Sequence, residues 1–314
     1  MALDPQVISN AVNDAHAKFS TAEGGANASY IPYLASVPSA LAGLAVVTVD
    51  GGVFKVGDTD YAFALESISK VFSLALALED VGPDEVHAKI GAEPTGLPFN
   101  SVMALALNSG KPLSPLVNAG AMATVSLIKA ATAEDRWARI LDIQSQLAGR
   151  AIKLSDEVNQ SEQTTNFHNR GIAWLLYSAG TMYSDPMQAC DVYTRQCSTL
   201  VSTVDLATMG ATLAAGGLNP VSQKRVLTAS NVPFILAEMT MEGLYTSSGD
   251  WAYTVGLPGK SGVGGGILAV VPGVMAIAGF SPPLDPAGNS VRGQKMVAAV
   301  AKALGYNLYR VPGA

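Results

Sequence analysis

The sequence predicts an α+β fold in which strands from both ends of the chain build one antiparallel sheet and a helical lobe is inserted between them. Three observations predict it. Short β-branched runs lie near the N-terminus, at residues 44–49 and 53–56, and near the C-terminus, at 267–271 and 274–278. The stretch between them is dominated by patterns of helical period. No 20–50-residue period repeats, and no low-complexity linker divides the chain. The expectation is one domain over 1–314, with a sheet lobe of about 1–66 and 240–314 and a helical lobe of about 67–239.

Residues 5–20 carry an apolar stripe of Val7, Ile8, Val12, Ala15 and Phe19 at helical spacing. Gly24-Gly25-Ala26-Asn27 breaks it, and Tyr30-Ile31-Pro32-Tyr33-Leu34 reads as an ordered turn. The strands at 44–49 and 53–56 are joined by the turn Asp50-Gly51-Gly52. The strongest helix signal follows, from Glu66-Ser67-Ile68-Ser69-Lys70 into Phe72-Ser73-Leu74-Ala75-Leu76-Ala77-Leu78. It has no internal Gly or Pro and stops at Gly82-Pro83. A helix apolar all round is a buried one.

Further helices are expected at 121–132, at 134–148 with the stripe Trp137, Ile140, Leu141, Ile143 and Leu147, and at 171–183, 187–198, 204–215 and 231–242. Residues 94–98 and the polar stretch 162–169 read as loops. Residues 261–284 carry no charge and superficially suggest a membrane span. Their glycines and Pro272 cut them into pieces too short to cross, so they read as a strand pair around Pro272-Gly273. An amphipathic helix at 290–304, ended by Gly305, closes the chain.

Composition narrows the function. The 314 residues are 49% hydrophobic and 14% charged, enough for a large core, and the net charge is −6 with no basic cluster. Nucleic acid and anionic membrane are therefore poor partners. The opening segment has neither a basic nor an apolar region of a secretory signal. Cys190 and Cys197, seven residues apart, read as two reduced, packed thiols, and a cytoplasmic location is expected. The three histidines are too scattered for a zinc site, so no metal is expected.

Ser67 and Lys70 are expected in the first turn of the buried helix, three residues apart on one face. A serine hydroxyl needs a base beside it to act as a nucleophile. Burial and a helix N-terminus both lower a lysine pKa and so make that base. Ser-x-x-Lys alone is a weak pattern, and Ser126-Leu127-Ile128-Lys129 repeats it inside an apolar segment. Lys260-Ser261-Gly262-Val263-Gly264-Gly265-Gly266 supplies a second half. In Ser-x-x-Lys acyl-transferases a Lys-Ser/Thr-Gly strand lies beside the nucleophile helix, its lysine adding positive charge and its backbone a second oxyanion donor. Alone it is equally a Gly-rich edge strand. The two together point to the β-lactamase/transpeptidase-like fold. Glu162-Gln-Thr-Thr-Asn166 imitates the Glu-x-x-x-Asn of class A β-lactamases, but the Ser-Asp-Asn expected of a penicillin enzyme is missing.

The chain also resembles the serine-dependent glutaminases over nearly its whole length. Tyr30-Ile31-Pro32, Glu66 through Lys70, Asn118-Ala119-Gly120-Ala121, Ser161 through Asn169, Tyr193-x-x-x-Cys197-Ser198, Gly243-Leu244-Tyr245 and Gly256 through Gly266 carry the resemblance. It implies hydrolysis of L-glutamine to L-glutamate and ammonia without a cofactor, by a homo-oligomer, dimer or tetramer. It implies Ser67 as nucleophile, Lys70 as its base and Tyr245 as a proton carrier, with Lys260, Ser261 and Gly262 in support. It also implies substrate contacts at Tyr30, Ser67, Asn118, Glu162, Asn169, Tyr193, Tyr245 and the Val263 backbone. Many relatives have Gln where this chain has Glu66.

Read as residues alone, Glu162 is an ammonium partner or a solvated loop acid. Asn118 and Asn169 donate to a carboxylate or serve turns and caps, and the three tyrosines are pocket donors or core rings. Cys197 reads as packing. A penicillin-recognising serine hydrolase or esterase of the same fold is the alternative enzyme, and a binding protein that kept the fold is the non-enzymatic one.

Overall fold

The computed structural model describes residues 4–310. Its strands are β1 (Gly43–Thr48), β2 (Val53–Gly57), β3 (Phe63–Ala64), β4 (Lys153–Leu154), β5 (Thr199–Val201), β6 (Gly259–Ser261), β7 (Gly266–Val271) and β8 (Met275–Phe280). Its helices are α1 (Pro5–Phe19), α2 (Pro32–Ser36), α3 (Ser69–Val81), α4 (Pro83–Lys89), α5 (Val102–Leu107), α6 (Asn118–Leu127), α7 (Ala133–Ala148), α8 (Asp156–Thr165), α9 (Phe167–Ser178), α10 (Pro186–Cys197), α11 (Thr203–Ala214), α12 (Val232–Glu242), α13 (Ser248–Thr254) and α14 (Val291–Ala303).

The five-stranded sheet has the order β2-β1-β8-β7-β6 and is antiparallel throughout. β1 pairs with β8 from Gly43↔Phe280 to Thr48↔Met275, so the two ends of the chain meet in mid-sheet. The central strands read as continuous apolar runs because both faces are covered. Leu44, Val46, Ile267, Ala269 and Ile277 join the core under α1 and α14. Ala45, Val47, Leu268, Val270, Ala276 and Ala278 join the opposite core, with α3, α6 and α11. α11 comes from the middle of the chain, yet it packs on this sheet. A Cβ at Gly210 would stand 2.5 Å from Leu268 Cδ1 and 2.7 Å from Ala276 Cβ, so glycine permits the close approach.

The α+β layout agrees with expectation, and three local readings change. Ser67 is not in the first turn of α3. It lies in a 3₁₀ turn, Glu66–Ile68, that leads into the helix, and Lys70 is the second residue of α3. The polar stretch 162–169 is not a loop. Ser155 caps α8, its side chain accepting from the Val158 N–H, and α9 begins at Phe167 and ends before Gly180, earlier than the expected 171–183. The helix expected at 121–132 spans Asn118–Leu127 instead. The small sheet β3-β5-β4 was not expected; its strands are too short to show a period. No helix among the described residues is long and apolar enough to cross a membrane.

Candidate active site

Every residue of Ser69–Leu78 is buried, which fixes α3 in the core and makes its N-terminus the floor of a cleft. The 3₁₀ turn that carries Ser67 packs against β6, β7 and α10. The glycines of 262–266 allow this. A Cβ at Gly264 would lie 2.3 Å from the Ala64 carbonyl oxygen, and one at Gly262 2.9 Å from that of Leu65. The Gly-rich segment is thus pressed against the chain entering Ser67, as the paired motifs required.

A cavity of about 60 Å³ opens there, lined by Tyr30, Ile31, Glu66, Ser67, Phe99, Asn118, Glu162, Asn169, Tyr193, Thr194, Cys197 and Val263. Of the expected substrate contacts, only Tyr245 is missing from this wall, and it sits directly behind. Its hydroxyl donates to the Ser261 carbonyl oxygen at 3.3 Å. Tyr30 stands at the rim, 55% exposed. A larger groove of about 990 Å³ between α1 and α14 contains neither of the paired motifs.

Lys70 is fully buried. Its Nζ donates to Asn118 Oδ1 at 2.7 Å and lies 5.9 Å from the ring centroids of Phe99, Tyr193 and Tyr245. Burial pushes its pKa down to about 8. About one lysine in ten is then neutral at pH 7, against about one in three thousand for a free side chain. The acceptor matters too: a neutral amide holds the amine in place without the upward pull of a carboxylate.

Lys260 lies on β6, off the cavity wall. It is fully buried, and Nζ donates to the carbonyls of Gly243 at 2.9 Å and Ser261 at 2.6 Å. Burial, reinforced by Lys70, holds its amine well below the usual lysine range. Through the Gly243 bond it ties β6 to the end of α12. The Ser261 hydroxyl donates to Asn289 Oδ1 at 2.5 Å, so this residue supports the site from behind.

Glu66, buried, and Glu162, half-buried, are neighbouring carboxyls on the cavity wall. Burial and the neighbouring Glu162 raise Glu66 well above the usual carboxylate range. Burial raises Glu162 as well, and each carboxyl disfavours the charge of the other. Glu66 and Tyr245 also hold left-handed backbone, with φ of 52° and 56°. Bulky residues pay roughly 1–3 kcal/mol for that, and such strain concentrates at functional sites.

Asn118 and Asn169 are joined by a 2.9 Å bond from Asn118 Nδ2 to Asn169 Oδ1. Asn166, noted only as part of a β-lactamase-like spacing, accepts from Asn169 Nδ2 at 2.7 Å. Phe99 and Thr194, also on the wall, were not singled out, since an isolated apolar or hydroxyl residue carries no pattern. Cys197, expected as packing, lies on the wall 3.5 Å from Ser69 Oγ, and both cysteines are free and buried. Ser126-x-x-Lys129 is not a second site. Ser126 is buried and donates to Ala123 O, while Lys129 is exposed. Among the described residues no cluster of His, Cys, Asp and Glu could hold a metal.

An antiparallel sheet covered by helices, with Ser67 in the turn that leads into a buried helix, Lys70 in that helix and Lys-Ser-Gly on a strand packed against the turn, defines a protein of the β-lactamase-like fold. The profile of the Glutaminase family matches residues 25–309. Glutaminase 1 of Shigella flexneri is 72% identical over 98% of this chain and 99% of its own length, and a glutaminase of Bordetella avium is 74% identical over the same shares. The chain belongs to the glutaminase family. Among solved structures, a probable glutaminase, ybaS, superposes with a TM-score of 0.98 at 72% identity, over 98% of this chain and 100% of that one. A probable glutaminase of Bacillus subtilis gives 0.87 at 28% identity, over 97% of both. Mglu in its glutamate form gives 0.89 at 33% identity, over 98% of this chain and 70% of that one.

Proposed function

We propose that this protein hydrolyses L-glutamine to L-glutamate and ammonia through an acyl-enzyme on Ser67, with Lys70 as general base. The observation that carries the reading is a buried Lys70 with a pKa near 8, one residue into the helix that follows Ser67, in a chain of the glutaminase family.

Lys70 Nζ takes the Ser67 proton, and Ser67 Oγ bonds to the side-chain amide carbon of glutamine. The backbone N–H groups of Ser67 and Val263 receive the oxyanion. The C–N bond then breaks, and the nitrogen leaves as ammonia after taking a proton from Lys70 or Tyr245. Tyr245 is suited to this by its place behind the cavity wall, its ring centroid 5.9 Å from Lys70 Nζ. Water attacks the glutamyl ester, Lys70 again accepting the proton, and glutamate is released.

The substrate's ammonium is assigned to Glu162, a carboxyl on the cavity wall that an ammonium would pair. Its carboxylate is assigned to Asn118 and Asn169, each with one amide hydrogen left after the bonds above, together with Tyr30 and Tyr193. The glutamate form of Mglu supports a pocket for this product. The sheet and helical lobes are read as one domain, since both build this site. The protein is further read as a cytoplasmic homo-oligomer, a dimer or tetramer. Exposed Met103 and Leu107 on α5 and Phe167 and Trp174 on α9 support an associating surface.

Ser67→Ala tests the reading. The variant should fold and release no ammonia from glutamine; wild-type ammonia release would refute the assignment.

A further inference from the structure

A line of hydrogen-bonded side chains runs from the Lys70 amine into α10, and each link has a fixed direction set at the far end. The Thr194 hydroxyl donates to the Cys190 carbonyl at 2.8 Å. A carbonyl only accepts, so the one hydroxyl proton is committed there. The Thr194 oxygen is left as an acceptor and takes Asn166 Nδ2 at 2.7 Å. An amide that turns its nitrogen one way turns its oxygen the other. Asn166 Oδ1 therefore receives Asn169 Nδ2 at 2.7 Å, and Asn169 Oδ1 receives Asn118 Nδ2 at 2.9 Å. Asn118 Oδ1 is left facing Lys70 Nζ at 2.7 Å and the Tyr193 hydroxyl at 3.1 Å. Thr194, Asn166 and Asn118 are all buried, so water offers little substitute for a lost link.

Direction matters to a base. A neutral lysine amine has two N–H groups and one lone pair. An amide oxygen binds an N–H and leaves the lone pair free. A reversed Asn118 would present its own N–H, occupy the lone pair and idle the base. We propose that Thr194 and Asn166 are positioning residues, which lock the amide direction of Asn169 and Asn118 so that the Lys70 lone pair stays open to the Ser67 proton. This rests on the reading of Lys70 as the base. The groups facing Lys70 are Glu66 on the 3₁₀ turn, Asn118 on α6, Tyr193 and Cys197 on α10, Glu242 on α12, Lys260 on β6, and the rings of Phe99 and Tyr245. A change at Thr194 replaces none of them.

Thr194→Val removes the hydroxyl at nearly constant volume, and Thr194→Ser keeps it. Each is measured for kcat and KM on glutamine from about pH 5 to 10 and for thermal melting, the acid limb of kcat reporting the base. In Thr194→Val, kcat should fall at least about tenfold. Its acid limb should move to lower pH, because an N–H on the lone pair favours the neutral amine. Thr194→Ser should keep both wild-type values. Should Thr194→Val not fold, Asn166→Leu cuts the same line one link nearer and must move the limb the same way. A limb that stays at the wild-type pH in the folded variant, whether or not kcat falls, overturns the proposal. Lys70→Met separates the two readings. Full activity in that variant would sink the base assignment itself, whereas an inactive Lys70→Met beside a wild-type-like Thr194→Val sinks the positioning role alone.

Discussion

Lys70 and Glu66 show how burial, more than residue type, decides the chemistry of this site. A lysine pKa near 8 makes the base available only as pH rises, so activity should climb through about pH 8 on its acid side. Glu66 works in the opposite sense. Protonated, it is neutral and resembles the Gln of many relatives. Once it ionises at higher pH, its charge favours the Lys70 ammonium and withdraws the base. Glu66→Gln cannot gain that charge, so the ratio of variant to wild-type kcat should rise with increasing pH. Steady-state kinetics of both proteins in matched buffers check this, and a flat or falling ratio contradicts it. The sequence marked Glu66 as a departure from its relatives but could not give a direction. Direction depends on the carboxyl at Glu162, which the chain brings to Glu66 only by folding.

Single elements were legible to the degree that water enforced a pattern on them. The strands β1, β7 and β8 and the helices α7, α11 and α14 stand within a residue or two of expectation, because each buries a long apolar run or stripe. α8 was missed because it is polar and little of it is buried, so no apolar stripe announced it. The Lys260 motif lies beside the turn that carries Ser67, as its pairing with Ser-x-x-Lys predicts. Its burial and the Gly243 carbonyl that receives its amine come only from the folded chain. Gly264 gives a test at this scale. A side chain there meets the Ala64 backbone, which cannot give way as a flexible side chain would. Gly264→Ala should push the Val263 N–H out of line and lower kcat about 10²-fold or more, with a smaller change in KM. Unchanged kcat in a folded variant would remove that strand from the oxyanion site.

For the molecule as a whole, the site lies where strands from both chain ends meet the helices between, so ligand binding should brace the entire fold. Glutamate at about 100 times its Kd should stabilise the protein by about 2.7 kcal/mol and raise a single melting transition. Two transitions, with only one responding, would show the lobes to be independent domains. Light scattering on the purified protein gives the state of association, a dimer or tetramer being expected and a monomer contradicting that reading. The covalent intermediate on Ser67 offers the most direct check on the whole scheme. Enzyme turning over saturating glutamine is quenched in acid, digested and read by mass spectrometry. A glutamyl ester on the peptide carrying Ser67, absent from Ser67→Ala, is the predicted result. A glutamyl group on any other side chain, in an enzyme releasing ammonia at full rate, would contradict it.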